Sequence, residues 1–172
     1  MIKIGKTVIA EVRDEEGNVI YRAVEGSETE CKENDLVNRN LIRVMLSVFT
    51  PDMVPLYNTT GDTVLAGLRT QHYHSPFGRI KVGDSDITPS RSDLNLKGNV
   101  LGDGGVSATV NETEGFLILS TSFSWASDTV VKEVGLFIRM NWLDYLMDRT
   151  VFSPPITVPA GKVLSIAYRF SF

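Results

Sequence analysis

The chain of 172 residues has a single cysteine, Cys31, which leaves no partner for an internal disulfide and no second thiolate for a structural zinc site. No apolar run reaches the roughly 18 residues of a membrane-spanning helix. The residues after Met1 also lack the apolar stretch of a secretory signal. We therefore expect a soluble protein that is made in the cytoplasm and has no membrane partner.

Basic residues are too few and too dispersed to form a nucleic-acid surface. Lys and Arg number 17 against 21 Asp and Glu, which gives a net charge of −4, and no basic stripe is present. We therefore expect no nucleic-acid partner. The length is close to the prior of roughly 150 residues per domain. Because 42% of the residues are hydrophobic, a core can form without disulfide bonds, and we expect one domain, 1–172.

The sequence does contain many short segments with strand periodicity. Two β-branched runs, 7–12 and 19–24, flank a turn in which Gly17 or Asn18 can supply a positive φ, and this pattern predicts a hairpin. Further strands are predicted at 77–82, 106–110, 116–125, 130–140, 146–152 and 163–172. In the last of these, apolar residues alternate strictly with small or polar ones. The fold predicted is mainly β, an antiparallel β-sandwich or jelly-roll-like barrel with one main helix.

The main helix is predicted from one segment with helical spacing. Asn34 and Asp35 are residue types that cap helix N-termini, and Pro51 ends the pattern. Between them an apolar stripe recurs every three or four residues, formed by Val37, Leu41, Val44, Met45 and Val48. These features place the helix at 34–50.

The remaining segments complete the predicted domain organisation. Residues 51–76 lose all periodicity and are expected to form a long surface loop. The glycine-rich residues 102–105 are expected to break the chain between two strands. The single domain is thus divided into an N-terminal hairpin and arm (1–33), the helix (34–50), the long loop (51–76) and the sandwich strands (77–172).

Candidate catalytic and metal-binding groups do not form a recognisable constellation. His72 and His74 would face the same side of a strand, but the nearest carboxylates, Asp62 and Asp84, are not at a diagnostic spacing for a third ligand. No nucleophile elbow and no serine, histidine and aspartate order is present. We predict no catalytic residue, no metal and no cofactor.

Aromatic side chains are the better candidates for partner binding. Trp142 and Tyr145 are flanked by polar residues and are expected to lie in an exposed hairpin tip that contacts a protein or a glycan. Asp148 and Arg149 are interpreted as part of the polar side of that hairpin. In the long loop, a second set of predicted contact residues consists of His72, Tyr73 and His74.

Four short motifs follow one another from Asn34 onward. They are Asn34-Asp35-Leu36-Val37-Asn38; Ile80-Lys81-Val82-Gly83-Asp84 with Thr88-Pro89-Ser90-Arg91-Ser92-Asp93 and Leu96; Lys132-Glu133-Val134-Gly135-Leu136-Phe137; and Arg149-Thr150-Val151-Phe152-Ser153-Pro154-Pro155-Ile156. In this order they resemble a family of tailed-bacteriophage and prophage virion proteins of the capsid-decoration, head-fibre or tail-appendage type. The long loop, the Trp142 hairpin and the N-terminal hairpin depart from the family pattern.

The resemblance implies a non-enzymatic virion protein, located in the virion after synthesis in the host cytoplasm. Its expected role is capsid decoration or cement, and a tail, fibre-adaptor or baseplate protein is the alternative. The expected partners are the major capsid protein or tail proteins together with copies of itself, in a homo-oligomer such as a trimer. The N-terminal segment or the long loop would pair with a neighbouring subunit by strand addition or docking.

Two hypotheses of other classes remain. A carbohydrate-binding module would use Trp142 and Tyr145, whereas an enzyme would have to use His72 or His74. Gly135, inside an apolar strand, predicts a bulge or the close approach of another backbone.

Overall fold

The structure is a computed structural model that describes residues 5–27, 35–37, 54–57, 59–60, 63–66, 78–111, 116–140 and 143–171. In these residues the fold is mainly β and contains no helix. The strands are β1 (Gly5–Arg13), β2 (Val19–Ser27), β3 (Asp35–Val37), β4 (Val54–Tyr57), β5 (Thr63–Ala66), β6 (Arg79–Gly83), β7 (Val100–Gly105), β8 (Ser107–Asn111), β9 (Phe116–Ser124), β10 (Thr129–Met140), β11 (Leu143–Val158) and β12 (Val163–Ser171).

The described strands form two five-stranded antiparallel sheets and one two-stranded ribbon. Sheet I has the order β2-β1-β12-β9-β8, and sheet II has the order β3-β11-β10-β6-β7. The ribbon consists of β4 and β5. The first and last described strands are neighbours in sheet I, where Ala10 lies opposite Ile166. The predicted mainly β, antiparallel character is confirmed.

Alternation along the strands produces one core to which both sheets contribute. On β12 the predicted apolar face is confirmed, because Leu164, Ile166, Tyr168 and Phe170 are all buried. The same cluster contains Val8, Ala10 and Val12 of sheet I and Ile80, Val82, Val134, Leu136, Met147 and Ile156 of sheet II. Each fully buried aliphatic side chain contributes roughly 1.5–3 kcal/mol of transfer free energy. This shared core holds the two sheets together.

The predicted N-terminal hairpin is confirmed as β1 and β2. Gly17 has φ +86° in the turn, a conformation that suits glycine because it has no Cβ. The pairing is regular except at one β-bulge, since Val12 lies opposite Tyr21 but Arg13 lies opposite Val19. Ile20 is therefore the extra residue of the bulge.

The prediction of a helix at 34–50 is wrong at its N-terminal end. Residues 35–37 form β3, which pairs with residues 148–150 of β11. Sheet pairing here overrides the local capping signal of Asn34 and Asp35, because tertiary contacts outweigh weak local propensity. Residues 38–50 lie outside the described residues.

Two further segments differ from their predicted structure. The long loop 51–76 contains the antiparallel ribbon, in which Tyr57 pairs with Thr63 across the turn. The glycine-rich residues 102–105 continue strand β7 instead of breaking the chain. A Cβ on Gly102 would lie 2.7 Å from the ring of Phe123 in sheet I, so glycine is needed here for space. Nearby, the indole N–H of Trp125 donates to the Leu101 carbonyl at 2.9 Å and links the two sheets.

Candidate functional site

The residues predicted to bind a partner are placed only in part by the structure. His72, Tyr73, His74 and Trp142 lie outside the described residues, and their partner-binding role stays a prediction. Tyr145 pairs with Ile138 in the β10–β11 hairpin and lies in the main core with no exposed surface. The expectation that Tyr145 lies in an exposed hairpin tip is therefore wrong, because alternation turns this position toward the core.

The connection between β6 and β7 makes buried contacts outside the main core. Residues 84–99, called the strap below, lie against the outer face of sheet II. The Leu96 side chain forms a small buried cluster with Phe137 and Leu146, on the face of sheet II opposite the main core. At the ends of the strap, Asp84 accepts hydrogen bonds from Asn99 N at 2.7 Å and Asn99 Nδ2 at 2.9 Å. These bonds hold the pKa of Asp84 below its ordinary value.

Gly135 makes room for the strap on β10. A Cβ at this position would lie 2.8 Å from Phe137 Cε2, 2.9 Å from Leu96 Cδ2 and 3.1 Å from Leu146 Cδ1. The predicted approach of another backbone is wrong, because the atoms closest to this position belong to side chains, and the irregularities in the pairing of β10 fall at Val131/Glu133 and Leu136/Phe137. Glycine here lets Leu96 seat on the sheet.

Arg149 is the centre of a buried polar network beneath the strap. Its side chain is 1% exposed, and it donates from Nε to Glu133 Oε2 at 2.6 Å. It also donates from Nη1 to Asp93 Oδ2 at 3.1 Å and from Nη2 to the Ile87 carbonyl at 2.8 Å. Bonds of this kind between ionised groups are about twice as strong as neutral hydrogen bonds. The guanidinium therefore joins β11, β10 and the strap.

The two carboxylates of this network have further donors in the strap. Glu133 accepts hydrogen bonds from the backbone N–H of Lys97 at 3.1 Å and of Gly98 at 2.7 Å. Asp93 accepts from Ser90 N at 2.9 Å, and its other oxygen lies 3.0 Å from Lys97 Nζ. Two cationic and two anionic side chains thus neutralise one another, which is the condition under which burial of charge is tolerated.

The network brings together three of the four motifs singled out in the sequence. Asp93 and Leu96 come from the second motif, Glu133 and Gly135 from the third, and Arg149 from the fourth. The interpretation of Asp148 and Arg149 as the polar, outward side of a hairpin is wrong, since both are buried. A charged residue within an apolar strand was the available signal, because such a residue needs a buried partner. Its partner could not be identified from the sequence.

A second buried ion pair joins the two sheets. Lys6 of β1 donates from Nζ to the Asp148 carboxylate of β11, and the two side chains are 5% and 0% exposed. Thr150 Oγ1 accepts from Lys6 Nζ at 3.3 Å and donates to Asp148 Oδ2 at 3.1 Å. The ammonium also lies 6.0 Å from the centre of the Tyr168 ring, a cation–π distance. Sequence analysis did not single out Lys6.

Charges of alternating sign cross the outer face of sheet II near the other end of β10. Asp144 accepts from Arg139 Nε at 2.7 Å and from Lys81 Nζ at 2.6 Å, and farther along Arg79 pairs with Asp103. Burial alone raises the pKa of Asp144, but the bonds and charges of Arg139 and Lys81 outweigh it and hold this pKa below its ordinary value.

The depressed pKa of Asp144 predicts a contribution to stability that disappears in acid. A carboxyl whose pKa is lower in the folded state stabilises the fold fully above its ordinary value of 3.8. The contribution is lost as the pH falls below that value through the folded-state pKa. We expect the difference in unfolding free energy between wild type and Asp144→Asn, measured in urea, to be constant above about pH 5 and to shrink below it. A difference that stayed constant down to about pH 2 would contradict this prediction.

An open groove lies between the strap and the proline-containing part of β11. Its volume is about 230 Å³, and it is lined by Asp86, Thr88, Pro89, Val151, Phe152, Ser153 and Pro155. Among the described residues that line it, Asp86 provides a carboxylate, which lies 3.2 Å from Lys132 Nζ. The groove thus has a partly apolar lining that includes proline and valine, and its described carboxylate is paired with a lysine. A lining of this kind is better suited to contact with another chain than to acid–base chemistry.

The described part of the chain contains no group of three or more His, Cys, Asp or Glu residues that could hold a metal ion. It also contains no helix long and apolar enough to span a membrane. Comparisons with protein-family models, with curated proteins and with solved structures found no match to this chain.

Proposed function

We propose that this chain is a non-enzymatic structural protein of a tailed-phage virion, and that it binds the capsid surface as a decoration protein. The observation that carries the proposal is the convergence of Asp93, Glu133 and Arg149 in one buried network. These residues belong to three motifs on which the resemblance to phage virion proteins rests. A shared structural role of the motifs requires such contacts between them, and the contact of the strap residue Asp93 with β11 is the one that strand pairing alone does not supply.

The network also supports a structural role for these motifs. Arg149 contacts both carboxylates, and neither Asp93 nor Glu133 is more than 3% exposed. Groups that general acid–base catalysis uses must reach a substrate proton, whereas these groups are directed at one another. The motifs therefore hold the strap against sheet II and shape the surface that the strap presents.

The proposed architecture is a β-sandwich of the jelly-roll type. Residues of both five-stranded sheets form one core, and the chain passes between the two sheets after β2, β7, β9 and β11. Repeated crossing between two antiparallel sheets around one core is typical of sandwiches. Such a rigid body suits a protein that stabilises an assembly by covering the surfaces of its neighbours.

The test is direct binding to virus particles. We expect the purified protein to co-sediment saturably with capsids that lack it, and cryo-electron microscopy to place it at repeated positions of the capsid lattice. Density at the tail instead would replace decoration by the tail or fibre-adaptor role. Association with neither heads nor tails would contradict the proposal.

A control separates particle binding from glycan binding. Trp142→Ala is expected to weaken sedimentation with capsids where the ring contacts the capsid protein, and to leave sedimentation unchanged where the ring serves glycans alone. Loss of retention on a glycan column for Trp142→Ala, combined with no particle binding by the wild type, would favour the carbohydrate-binding module.

A further inference from the structure

Exposed apolar side chains are concentrated on β2. Among the described residues, the large hydrophobic side chains that are exposed number eight, and four of them lie on this strand: Val19 (44%), Ile20 (52%), Tyr21 (37%) and Val24 (51%). The other four lie on separate elements: Ile87, Val100, Val130 and Leu143. Tyr21 lies opposite Val12 and Val24 opposite Ile9, so the exposed apolar side chains flank the backbone edge of β2 on both faces of the sheet. Single exposed apolar residues are normal, but several along one edge strand mark that edge as a candidate contact.

β2 is also an edge of sheet I. Among the described strands only β1 pairs with it, so alternate backbone N–H and C=O groups of β2 point away from the sheet. Edge strands are usually protected from pairing by lysine or proline, and β2 contains neither. The bulge at Ile20 bends one end, whereas residues 21–27 pair regularly with β1.

The two charged side chains of β2 are held by the chain itself. Arg22 Nε lies 3.4 Å from Glu11 Oε1, and Glu25 accepts a hydrogen bond from Ser153 N at 3.3 Å. Each of these charges therefore has an interaction within the same chain, although the Arg22 side chain is 57% exposed. A backbone edge with four exposed apolar side chains is suited to another β-strand.

The sequence of β2 is complementary to itself in one antiparallel register. When residues 19–27 of two copies pair about Ala23, Arg22 of each copy lies opposite Val24 of the other, and Tyr21 lies opposite Glu25. No like charges are opposite each other, and the Tyr21 hydroxyl can donate a hydrogen bond to the carboxylate that it faces. A contact in which the same surface serves both copies is the commonest form of homodimer interface.

We infer that β2 pairs with β2 of a second copy of this chain, centred on Ala23, and so joins the two copies of sheet I into one continuous sheet. This inference rests on the proposed function, for which it specifies how copies of the virion protein contact one another, and it is tested without virus particles. The strand pair is a small interface, so we expect a dimer that dissociates on dilution.

The first experiment compares two valines of nearly equal exposure on different sheets. Val24→Lys would place an ammonium opposite Arg22 of the other copy, whereas Val100→Lys adds the same charge on β7, where Val100 is 50% exposed. Sedimentation equilibrium is expected to show a dimer for the wild type and for Val100→Lys. For Val24→Lys, the dissociation constant of the dimer is expected to be at least roughly tenfold larger than for the wild type. Far-UV circular dichroism checks that both variants fold.

The second experiment tests the register. Residues directly opposite in an antiparallel pair have Cα atoms about 4.5–5.5 Å apart, which lies within the range of a disulfide. In a Cys31→Ser background, Ala23→Cys is expected to give a covalent dimer on mild oxidation. Ala108→Cys, on β8 at the opposite edge of sheet I, serves as the matched control and is expected to give no covalent dimer.

A monomeric wild type, a Val24→Lys variant that dimerises normally, or an Ala23→Cys variant that does not crosslink would each overturn the inference. Particle binding is decided separately. A monomer that co-sediments with capsids would overturn the β2 pairing and leave the proposed function in place. A β2 dimer that binds no particle would overturn the proposed function and leave the β2 pairing in place.

Discussion

Arg149→Met is expected to lower the free energy of unfolding by about 3–5 kcal/mol. The substitution keeps much of the side-chain volume but removes the cation between Glu133 and Asp93. Both carboxylates are buried, and without the guanidinium they stay desolvated with less compensating charge. Urea unfolding followed by tryptophan fluorescence and circular dichroism measures the loss.

The matched control is Arg139→Met, which also removes an arginine from a carboxylate on sheet II. The Arg139 side chain is 36% exposed, whereas that of Arg149 is 1% exposed. Exposed pairs contribute up to about 1 kcal/mol, so Arg139→Met should cost far less than Arg149→Met. Equal losses for the two variants would contradict the central role of the buried network.

Hydrogen exchange tests whether the loss of stability in Arg149→Met is located in the strap. The amides of Lys97 and Gly98 donate to Glu133, and Arg149 orients that carboxylate. We expect these amides to exchange faster in Arg149→Met, while amides of β1 and β12 respond only through global stability. A strap that remained fully protected would show that Leu96 holds it without the charges.

Asp148→Ala is expected to produce the second large effect, also about 3–5 kcal/mol. Asp148 is fully buried and Lys6 is nearly so, and their ion pair joins β11 of sheet II to β1 of sheet I. Removal of this carboxylate takes away the counter-charge that β11 provides to a buried ammonium. Because the pair spans the two sheets, we expect a lower urea midpoint measured identically by fluorescence and circular dichroism.

A double variant separates the ion pair from the volume of the side chains. Lys6→Met combined with Asp148→Leu removes both charges, and replacement of a buried pair by apolar groups is often neutral or stabilising. We expect the double variant to be more stable than Asp148→Ala. The exposed pair of Lys132 and Asp86 provides the control, since Asp86→Ala should destabilise the fold far less than Asp148→Ala. A double variant as unstable as Asp148→Ala would show that the packing of these two side chains, and not their charges, stabilises the fold.

Strand prediction from the sequence succeeded where one face of a strand is buried and the other is not. Residues 163–172 alternate strictly, and β12 is found at Val163–Ser171 with its apolar face in the core. The hairpin of β1 and β2 was predicted from two β-branched runs and a turn. In both cases the information is local, since the side-chain period of two is visible within a few residues.

The errors occurred where a distant segment decides the outcome. Asp35 is a good helix cap, yet it lies in β3 because β11 offers it a strand to pair with. Gly102 is a good loop residue, yet it lies in β7 because Phe123 needs the space. Tyr145 was expected at the surface because of its polar neighbours, but strand alternation turns it toward the core.

By itself the sequence determined the class of the fold, because the alternation of apolar and polar residues specifies which strand faces are buried. It also marked the motifs around Asp93, Glu133 and Arg149. Only the tertiary structure decided that these residues contact one another, since Arg149 is 16 residues from Glu133 and 56 from Asp93 along the chain. The partner of a buried charge depends on which strands become neighbours, and the global packing of the sheets fixes that arrangement.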